Sequence, residues 1–259
     1  MKICLTNLSF KKISFKDFIL YSSRYNFQNF EVAPSLIKKN IFKKSLRKKI
    51  LIDLRKNKCK ILSLQSIFYK YSKIKIKSKK DLLKLINHFK KVILLCKHLN
   101  IKQVSIGSCP SRKIKNKKII HSLNSFFFKE ICEIAKKKSV TINLEPISKK
   151  YDNLFLNTPY EALKFISSLR QNNLKLLLDT GNCKIEKINF KRFYIKNQKI
   201  INHVQISNKN INICDTKMIK DEIKFFKKKK FNKTLTLEFF SSKSKKLSEI
   251  RKDLIESKF

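Results

Sequence analysis

The sequence predicts a single (β/α)8 barrel covering residues 1–259. Short apolar runs recur from one end of the chain to the other, and helix-like segments separate them. Apolar runs of strand length that alternate with helices indicate a parallel sheet buried on both faces. Eight such units of roughly 30 residues account for the length of the chain. A doubly wound open sheet is the alternative, but no G-x-G-x-x-G or Walker sequence follows the early strands.

The predicted strands are the eight apolar runs, taken in chain order. They cover residues 2–10, 29–34, 59–66, 102–107, 140–146, 174–181, 201–207 and 233–240.

Between the runs, three segments show the clearest helical character, at residues 81–100, 119–138 and 158–171. The third begins with specific start signals. Thr158 is the predicted N-cap, Pro159 occupies the first helical position, and Glu161 completes a capping box.

The charge of the chain is strongly positive, with 62 Lys and Arg against 18 Asp and Glu and a formal net charge of +44. Such a charge suggests a polyanionic partner such as nucleic acid. However, Lys, Ile, Asn and Phe are abundant while Gly, Pro, Ala and Trp are scarce, the profile of a genome drifting toward A and T codons. Arg, the better residue for bidentate phosphate contact, is rare. We attribute the charge mainly to codon bias and expect only weak, nonspecific nucleic-acid binding.

Composition also indicates the compartment. No apolar stretch approaches the roughly 20 residues that span a bilayer, and the N-terminus lacks the long apolar segment of a signal peptide. The seven cysteines are scattered and contain no C-x-x-C pair, which favours free thiols over disulfides or a zinc site. We therefore expect a cytoplasmic protein with no membrane partner.

Acidic and amide side chains close several of the predicted strands. They are Glu31, Glu145, Asp179, Gln205 and Glu238. In a (β/α)8 barrel, the C-terminal ends of the strands form the active-site face, so these side chains should converge. Several carboxylates in one pocket raise one another's pKa unless a cation compensates them, and an oxygen-rich set suits Mg²⁺ or Mn²⁺. The alternative is that each acid caps a helix or pairs with a nearby Lys.

A set of short motifs carries a resemblance that spans nearly the whole chain. The motifs are EVAPS (31–35), SLQS (63–66), IGSCPSRK (106–113), LEP (144–146), YDNLFLNTPYEAL (151–163), LLLDTGN (176–182), HVQIS (203–207) and TLEFF (236–240). In order and spacing they resemble the sugar phosphate isomerase/epimerase family, the xylose isomerase-like TIM barrels.

The resemblance implies one divalent metal ion bound by Glu145, Asp179, Gln205 and Glu238. The candidate substrate contacts are Glu31, Gln65, Arg112, Asn182 and His203. Two of these positions depart from the pattern of ketose epimerases. Asn182 stands where epimerase members usually carry a substrate-binding His, and Gln205 stands where ketose epimerases have His, as in hydroxypyruvate isomerase-like members. His203 could equally be a core histidine.

The chemistry of such a site points to an isomerase or epimerase. A metal that chelates a substrate carbonyl and the neighbouring hydroxyl acidifies the C–H between them and stabilises the resulting enediolate. Glu145 and Glu238, on opposite sides of the ring of strands, could then remove and return the proton. The expected substrate is a sugar, a sugar phosphate or a hydroxy-keto acid.

Three other functions share this fold or these ligands. An apurinic endonuclease-like enzyme would need several histidines at strand ends, and only His203 qualifies, because His88, His98 and His121 fall on predicted helices. A metal-dependent dehydratase would use the same ligands, and a catalytically inactive barrel could act as a binding protein. The sequence leaves the oligomeric state open.

The basic residues divide between the two faces of the predicted barrel. Loops that follow strands should place one group on the rim of the pocket, namely Arg112, Lys113, Lys115, Lys117, Lys149, Lys150 and Lys209. The run at 227–230 ends a helix and should lie on the opposite face. Only the rim group could favour an anionic substrate, with Arg112 as the leading contact because its planar fork suits phosphate or carboxylate.

Overall fold

The computed structural model describes residues 1–10, 13–37 and 40–240 and confirms the predicted barrel. Eight parallel strands follow one another in chain order, and β8 pairs with β1 to close the sheet. The strands are β1 (Lys2–Thr6), β2 (Asn29–Val32), β3 (Lys60–Leu64), β4 (Gln103–Ile106), β5 (Thr141–Leu144), β6 (Leu174–Asp179), β7 (Ile201–Ile206) and β8 (Thr234–Leu237).

Helices pack around this sheet. In the described part of the chain they are α1 (Phe15–Arg24), α2 (Lys44–Lys56), α3 (Lys79–Leu99), α4 (Lys117–Lys136), α5 (Pro159–Leu169), α6 (Thr180–Ile185), α7 (Phe190–Asn197) and α8 (Thr216–Lys228). The core lies between the helices and the outer face of the sheet, and β6 shows why the middle of a strand is a continuous apolar run. Leu176, Leu177 and Leu178 are all fully buried, since both faces of a barrel strand are covered.

Helix starts follow the local sequence signals. At α5, the Thr158 hydroxyl accepts a hydrogen bond from the Glu161 amide at 3.2 Å, as predicted. The Glu161 carboxylate bonds the Asn157 amide at 2.7 Å, one residue before the N-cap that a standard capping box would use. At α3, Ser78 and Asp81 form a complete capping box that the sequence analysis did not identify.

The N-terminal end of the barrel interior is filled by a polar layer. Gln103 accepts from Asn143 at 3.0 Å and donates to Thr234 at 3.0 Å, while Asn202 donates to Asn143 at 2.9 Å. These amides satisfy one another in the narrow end of the barrel. Free space for a ligand is therefore left to the opposite, C-terminal end.

Two further expectations concern cysteines and membranes. All seven cysteines are free and buried, as predicted for a chain without disulfides. Among the residues that the structure describes, no helix is both long enough and apolar enough to cross a membrane.

Candidate metal and active site

The predicted site residues lie at the C-terminal end of the barrel. Glu31 belongs to β2, Glu145 directly follows β5, Asp179 ends β6, Gln205 belongs to β7, and Glu238 directly follows β8. Asp179 and Gln205 are register partners across β6 and β7. The barrel thus brings together side chains that are up to 207 positions apart in the chain, as 238 minus 31 shows.

Glu145 lies in a close-fitting recess beside β4. A side chain at Gly107 would overlap the Glu145 carboxylate, so the absence of a Cβ there makes room for it. Burial raises the pKa of Glu145 well above its usual value, and the negative charges of Glu238, Asp179 and Glu31 raise it further, against a smaller opposing effect of Arg112. The acids therefore influence one another electrostatically at this end of the barrel.

Asp179 is held by the helix that follows it. Its Oδ1 accepts from the Asn182 amide at 2.5 Å as the N-cap of α6, and the Ser207 hydroxyl lies 2.9 and 3.0 Å from its two oxygens. Burial raises the pKa of Asp179 to about 6, although these hydrogen bonds oppose the rise. The second glycine of the chain, Gly181, accommodates Ser207, because a Cβ there would overlap the Ser207 hydroxyl.

Gln205 presents an amide oxygen without a partner. The residue is fully buried, its Nε2 donates to Glu31 Oε2 at 3.0 Å, and its Oε1 has no hydrogen-bond partner among the described residues. A buried amide oxygen left unpaired is costly unless a ligand or ion completes its coordination.

The donor set fits a hard divalent cation. Three carboxylates and one free amide oxygen lie at this end of the barrel, and two of the nearby cations are engaged elsewhere. Lys184 is ion-paired with Glu222 at 2.5 Å, and the Arg112 guanidinium donates to backbone carbonyls. In the described chain, no three His, Cys, Asp or Glu side chains are already arranged as a metal cluster. Any bound cation would therefore need Gln205 or a small movement of the acids.

Arg112 corrects the prediction that it lies on the rim. It is fully buried, and its guanidinium donates to the carbonyls of Gly107, Glu145, Phe155 and Leu156 at 2.5–3.0 Å. Burial also lowers the pKa of Arg112 to about 10. Because all these acceptors lie inside the protein, Arg112 links the loop after β4 to the loop after β5. Its bond to the Glu145 carbonyl also holds the backbone of Glu145 in place.

Three other predicted substrate contacts are also buried. Glu31 and His203 have no exposed surface, and Gln65 is 4% exposed. Gln65 donates to Thr6 Oγ1 at 2.8 Å, and His203 Nε2 lies 2.8 Å from Thr236 Oγ1. These three side chains therefore lie in the interior of the barrel. Burial also lowers the pKa of His203, despite the opposing effect of Glu31, which favours a neutral ring.

Asn182 is partly exposed and remains next to the site. Its Nδ2 lies 3.5 Å from Glu145 Oε1, and its Oδ1 accepts from the Ser148 amide at 3.2 Å. Asn182 therefore contacts the candidate base directly, as well as facing the solvent side.

A small cavity of about 80 Å³ opens onto Glu145. Its other walls include Ser66, Tyr69, Ser108 and Lys113. Lys113 is the one basic residue of the predicted rim that lines this cavity. The remaining lysines of the rim group are exposed in the segments that follow strands, with Lys117 at the first residue of α4. Lys227 and Lys228 are exposed at the end of α8, as predicted, and Lys230 is exposed just beyond it.

Several residues that shape the site were missed by sequence reasoning. Ser63 and Ser105 donate to Glu31 Oε1 at 3.0 and 2.7 Å, and Ser207 bonds Asp179. A signal was present for the first two, because each is a serine near the end of a strand with apolar residues on both sides of it. Alternation of side chains along a strand could have assigned both to the barrel interior.

The fold and the site together define a class of protein. Residues 22–256 match the family model of the xylose isomerase-like TIM barrel, and the chain belongs to that family. The resemblance identified from the motifs is thus confirmed. No curated protein matches the chain by sequence.

Three solved structures with different described activities or ligands are similar to this chain. D-psicose 3-epimerase from Clostridium cellulolyticum H10, solved with D-tagatose, has a TM-score of 0.80 at 15% identity over 99% of this chain and 98% of that one. The IOLI protein, whose structure holds a zinc atom, has a TM-score of 0.76 at 16% identity over 99% of this chain and 97% of that one. An AP endonuclease of family 2 from Brucella melitensis has a TM-score of 0.77 at 12% identity over 98% of this chain and 96% of that one. At such identities the similarity establishes the fold, and the function must come from the site.

Proposed function

We propose that this chain is a metal-dependent isomerase or epimerase that moves a proton on a sugar, a sugar phosphate or a hydroxy-keto acid. The observation that carries the proposal is the burial of Glu145 beside Glu238 and Asp179 at one end of the barrel, since burial first and the neighbouring charges second raise the pKa of Glu145. A carboxyl group with a raised pKa is suited to both removing and returning a proton near neutral pH.

Glu145 and Glu238 are the proposed acid/base pair. They follow β5 and β8, which are separated by β6 and β7, so their carboxylates can approach a substrate from different directions. One would take the proton from the carbon next to the carbonyl, and the other would return it, either on the opposite face or at the adjacent carbon. Asn182, within 3.5 Å of Glu145, would orient that carboxylate.

Glu145, Asp179, Gln205 and Glu238 are the proposed metal ligands. Oxygen donors of this kind favour Mg²⁺ or Mn²⁺. When bound, such a cation would polarise the substrate carbonyl and stabilise the negative charge of the enediolate. The free Oε1 of Gln205 supports the assignment, because that atom is buried and lacks a hydrogen bond in the described structure.

The expected substrate carries an anionic group. Because Arg112 is buried, Lys113 replaces it as the proposed contact, since Lys113 lines the same small cavity as Glu145. Glu145 and Lys113 both line this cavity of about 80 Å³, so the anionic group would lie near the proposed base.

The endonuclease alternative is not favoured by the site. Of the four histidines, His88, His98 and His121 lie on α3 and α4. The remaining one, His203, is buried against Thr236. A histidine-rich metal cluster at the strand ends is therefore not formed by the described residues.

The proposal is tested by solvent deuterium exchange. Purified protein loaded with Mn²⁺ is incubated in D₂O with ketoses, ketose phosphates and hydroxy-keto acids, and incorporation is followed by NMR. Glu145→Gln and Glu238→Gln should each reduce exchange by about 10²-fold or more, since an amide cannot accept the proton. Asp179→Ala should abolish Mn²⁺ binding.

Glu133→Gln is the matched control, because Glu133 is exposed on α4 and should not affect exchange. Near-normal exchange in both site variants would exclude the two-carboxylate mechanism. If wild-type protein exchanges no probe, an inactive barrel becomes the better description.

A further inference from the structure

We propose that Glu31 is a positioning residue that fixes the orientation of the Gln205 amide and so presents Gln205 Oε1 to the metal site. The inference rests on the proposed function only in taking Gln205 as a metal ligand. It replaces the sequence-based expectation that Glu31 contacts the substrate.

The hydrogen bond between these residues determines which way the amide faces. Gln205 Nε2 lies 3.0 Å from Glu31 Oε2, so the nitrogen donates to the carboxylate. Rotating the amide by half a turn would bring Oε1 against Oε2, and two acceptors would then face each other in a fully buried layer. Both the lost hydrogen bond and the repulsion oppose that rotation.

Glu31 is itself immobilised by its neighbours. Its Oε1 accepts from Ser63 of β3 at 3.0 Å and from Ser105 of β4 at 2.7 Å, and the two serine hydroxyls lie 3.2 Å apart. His203 Nε2 lies 3.5 Å from its Oε2. The carboxylate is therefore held from three strands and cannot turn to follow a rotated amide.

The unpaired Oε1 of Gln205 indicates that the arrangement serves a ligand rather than packing alone. If Glu31 served only to fill the interior, both ends of the Gln205 amide would be expected to find partners inside the protein. Instead, one end is bonded and the other is unpaired among the described residues. Partners of this kind, behind a metal ligand, typically change metal affinity 10- to 100-fold when they are mutated.

A double-mutant cycle tests the inference through metal binding rather than activity. Mn²⁺ is titrated by calorimetry into metal-free wild type, Glu31→Gln, Gln205→Ala and the double variant. A Gln at position 31 can donate as well as accept, so it no longer dictates the orientation. Glu31→Gln should weaken Mn²⁺ binding by about 10- to 100-fold in the wild-type background and by less than about 2-fold when Gln205 is absent.

Two controls separate positioning from general damage. Thr234→Val removes a buried hydroxyl that accepts from Gln103 at 3.0 Å, in the polar layer at the opposite end of the barrel, and should leave Mn²⁺ affinity unchanged. If Glu31→Gln does not fold, Ser105→Ala, which removes one donor to Glu31, is used instead. It should weaken Mn²⁺ binding by about tenfold when Gln205 is present and much less when Gln205 is replaced by Ala.

Equal weakening in both backgrounds would show that Glu31 is an ordinary structural residue and overturn the proposal, as would unchanged affinity in Glu31→Gln. Absence of Mn²⁺ binding by wild type would overturn both the proposal and the metal-dependent function. If Glu31→Gln weakens Mn²⁺ binding only when Gln205 is present, but no probe exchanges deuterium, the positioning role is supported and only the proposed catalysis is refuted.

Discussion

Substituting Gly107 by Ala should damage the site while leaving the fold nearly intact. The added Cβ would overlap Glu145 Oε2 and lie 2.9 Å from the Glu145 carboxyl carbon and 3.0 Å from Ile147 Cδ1. Ordinary carbon contacts are about 3.5–4.0 Å, so the carboxylate would have to withdraw by roughly 1 Å. The atoms that must move are the ends of flexible side chains, so rotation of those side chains can relieve the overlap.

The expected effects on stability and on function therefore differ in size. Overpacking typically costs about 1–3 kcal/mol, at the low end where side chains can give way, and replacing Gly by Ala recovers about 0.4–1 kcal/mol from the unfolded chain. The free energy of unfolding should then change by about 1 kcal/mol or less. In contrast, metal–ligand distances tolerate only about 0.2 Å, and a catalytic group misplaced by about 1 Å can lose about 10²-fold in rate.

Gly181→Ala is the matched comparison, since Gly181 is the only other glycine in the chain. Its added Cβ would overlap the Ser207 hydroxyl and lie 2.7 Å from the backbone oxygen of Asn208. A backbone atom cannot rotate away, so this variant should lose stability, by about 1–3 kcal/mol. At about 2–4 °C per kcal/mol, its Tm should fall measurably.

The assay combines thermal unfolding of the metal-free proteins with Mn²⁺ calorimetry and deuterium exchange. For Gly107→Ala we expect a Tm within a few degrees of wild type, Mn²⁺ binding weakened by about tenfold or more, and exchange reduced by about 10²-fold. Unchanged Mn²⁺ affinity and unchanged exchange at an unchanged Tm would show that the position of Glu145 is irrelevant to the site. The reasoning from close approach would then be wrong.

Two further predictions concern charge. Burial raises the pKa of Asp179 from 3.8 to about 6, so the folded metal-free protein binds this proton more tightly than the unfolded chain, and stability falls as pH rises from about 4 to 6. Asp179→Asn should therefore raise the free energy of unfolding of metal-free protein at pH 7.5 by up to about 3 kcal/mol, seen as a higher Tm, but should not raise it at pH 4. An equal gain at both pH values would contradict this. Lys113→Gln should raise KM for a phosphorylated or carboxylated substrate, whereas Gln at Lys227, Lys228, Lys229 and Lys230 should alter only salt-dependent nonspecific binding. Equal turnover of a neutral sugar and its phosphate would refute the anionic-substrate prediction.

The sequence alone was sufficient to predict the barrel and the convergence of its acids. Apolar runs such as 176–178 are typical of strands that are covered on both faces, and eight such runs separated by helices predict a closed barrel. Once parallel strands close in that way, all their C-terminal ends meet at one rim. Glu145, Asp179 and Glu238 are brought together by that topology, whatever the details of packing.

Only the tertiary structure decided how deep each side chain lies. Glu31 ends a strand in the sequence pattern, but the register between β2 and β3 shifts between Phe30 and Glu31 and sets Glu31 opposite Ser63. Register depends on hydrogen bonding between strands that are distant in sequence, so no local pattern reports it. The burial of Arg112 has the same origin, because the carbonyls of Gly107, Glu145, Phe155 and Leu156 that bind its guanidinium come from two different loops. The residues that supply the chemistry were therefore predictable from where strands end, whereas those that hold them in place were determined by contacts that exist only once the barrel has closed.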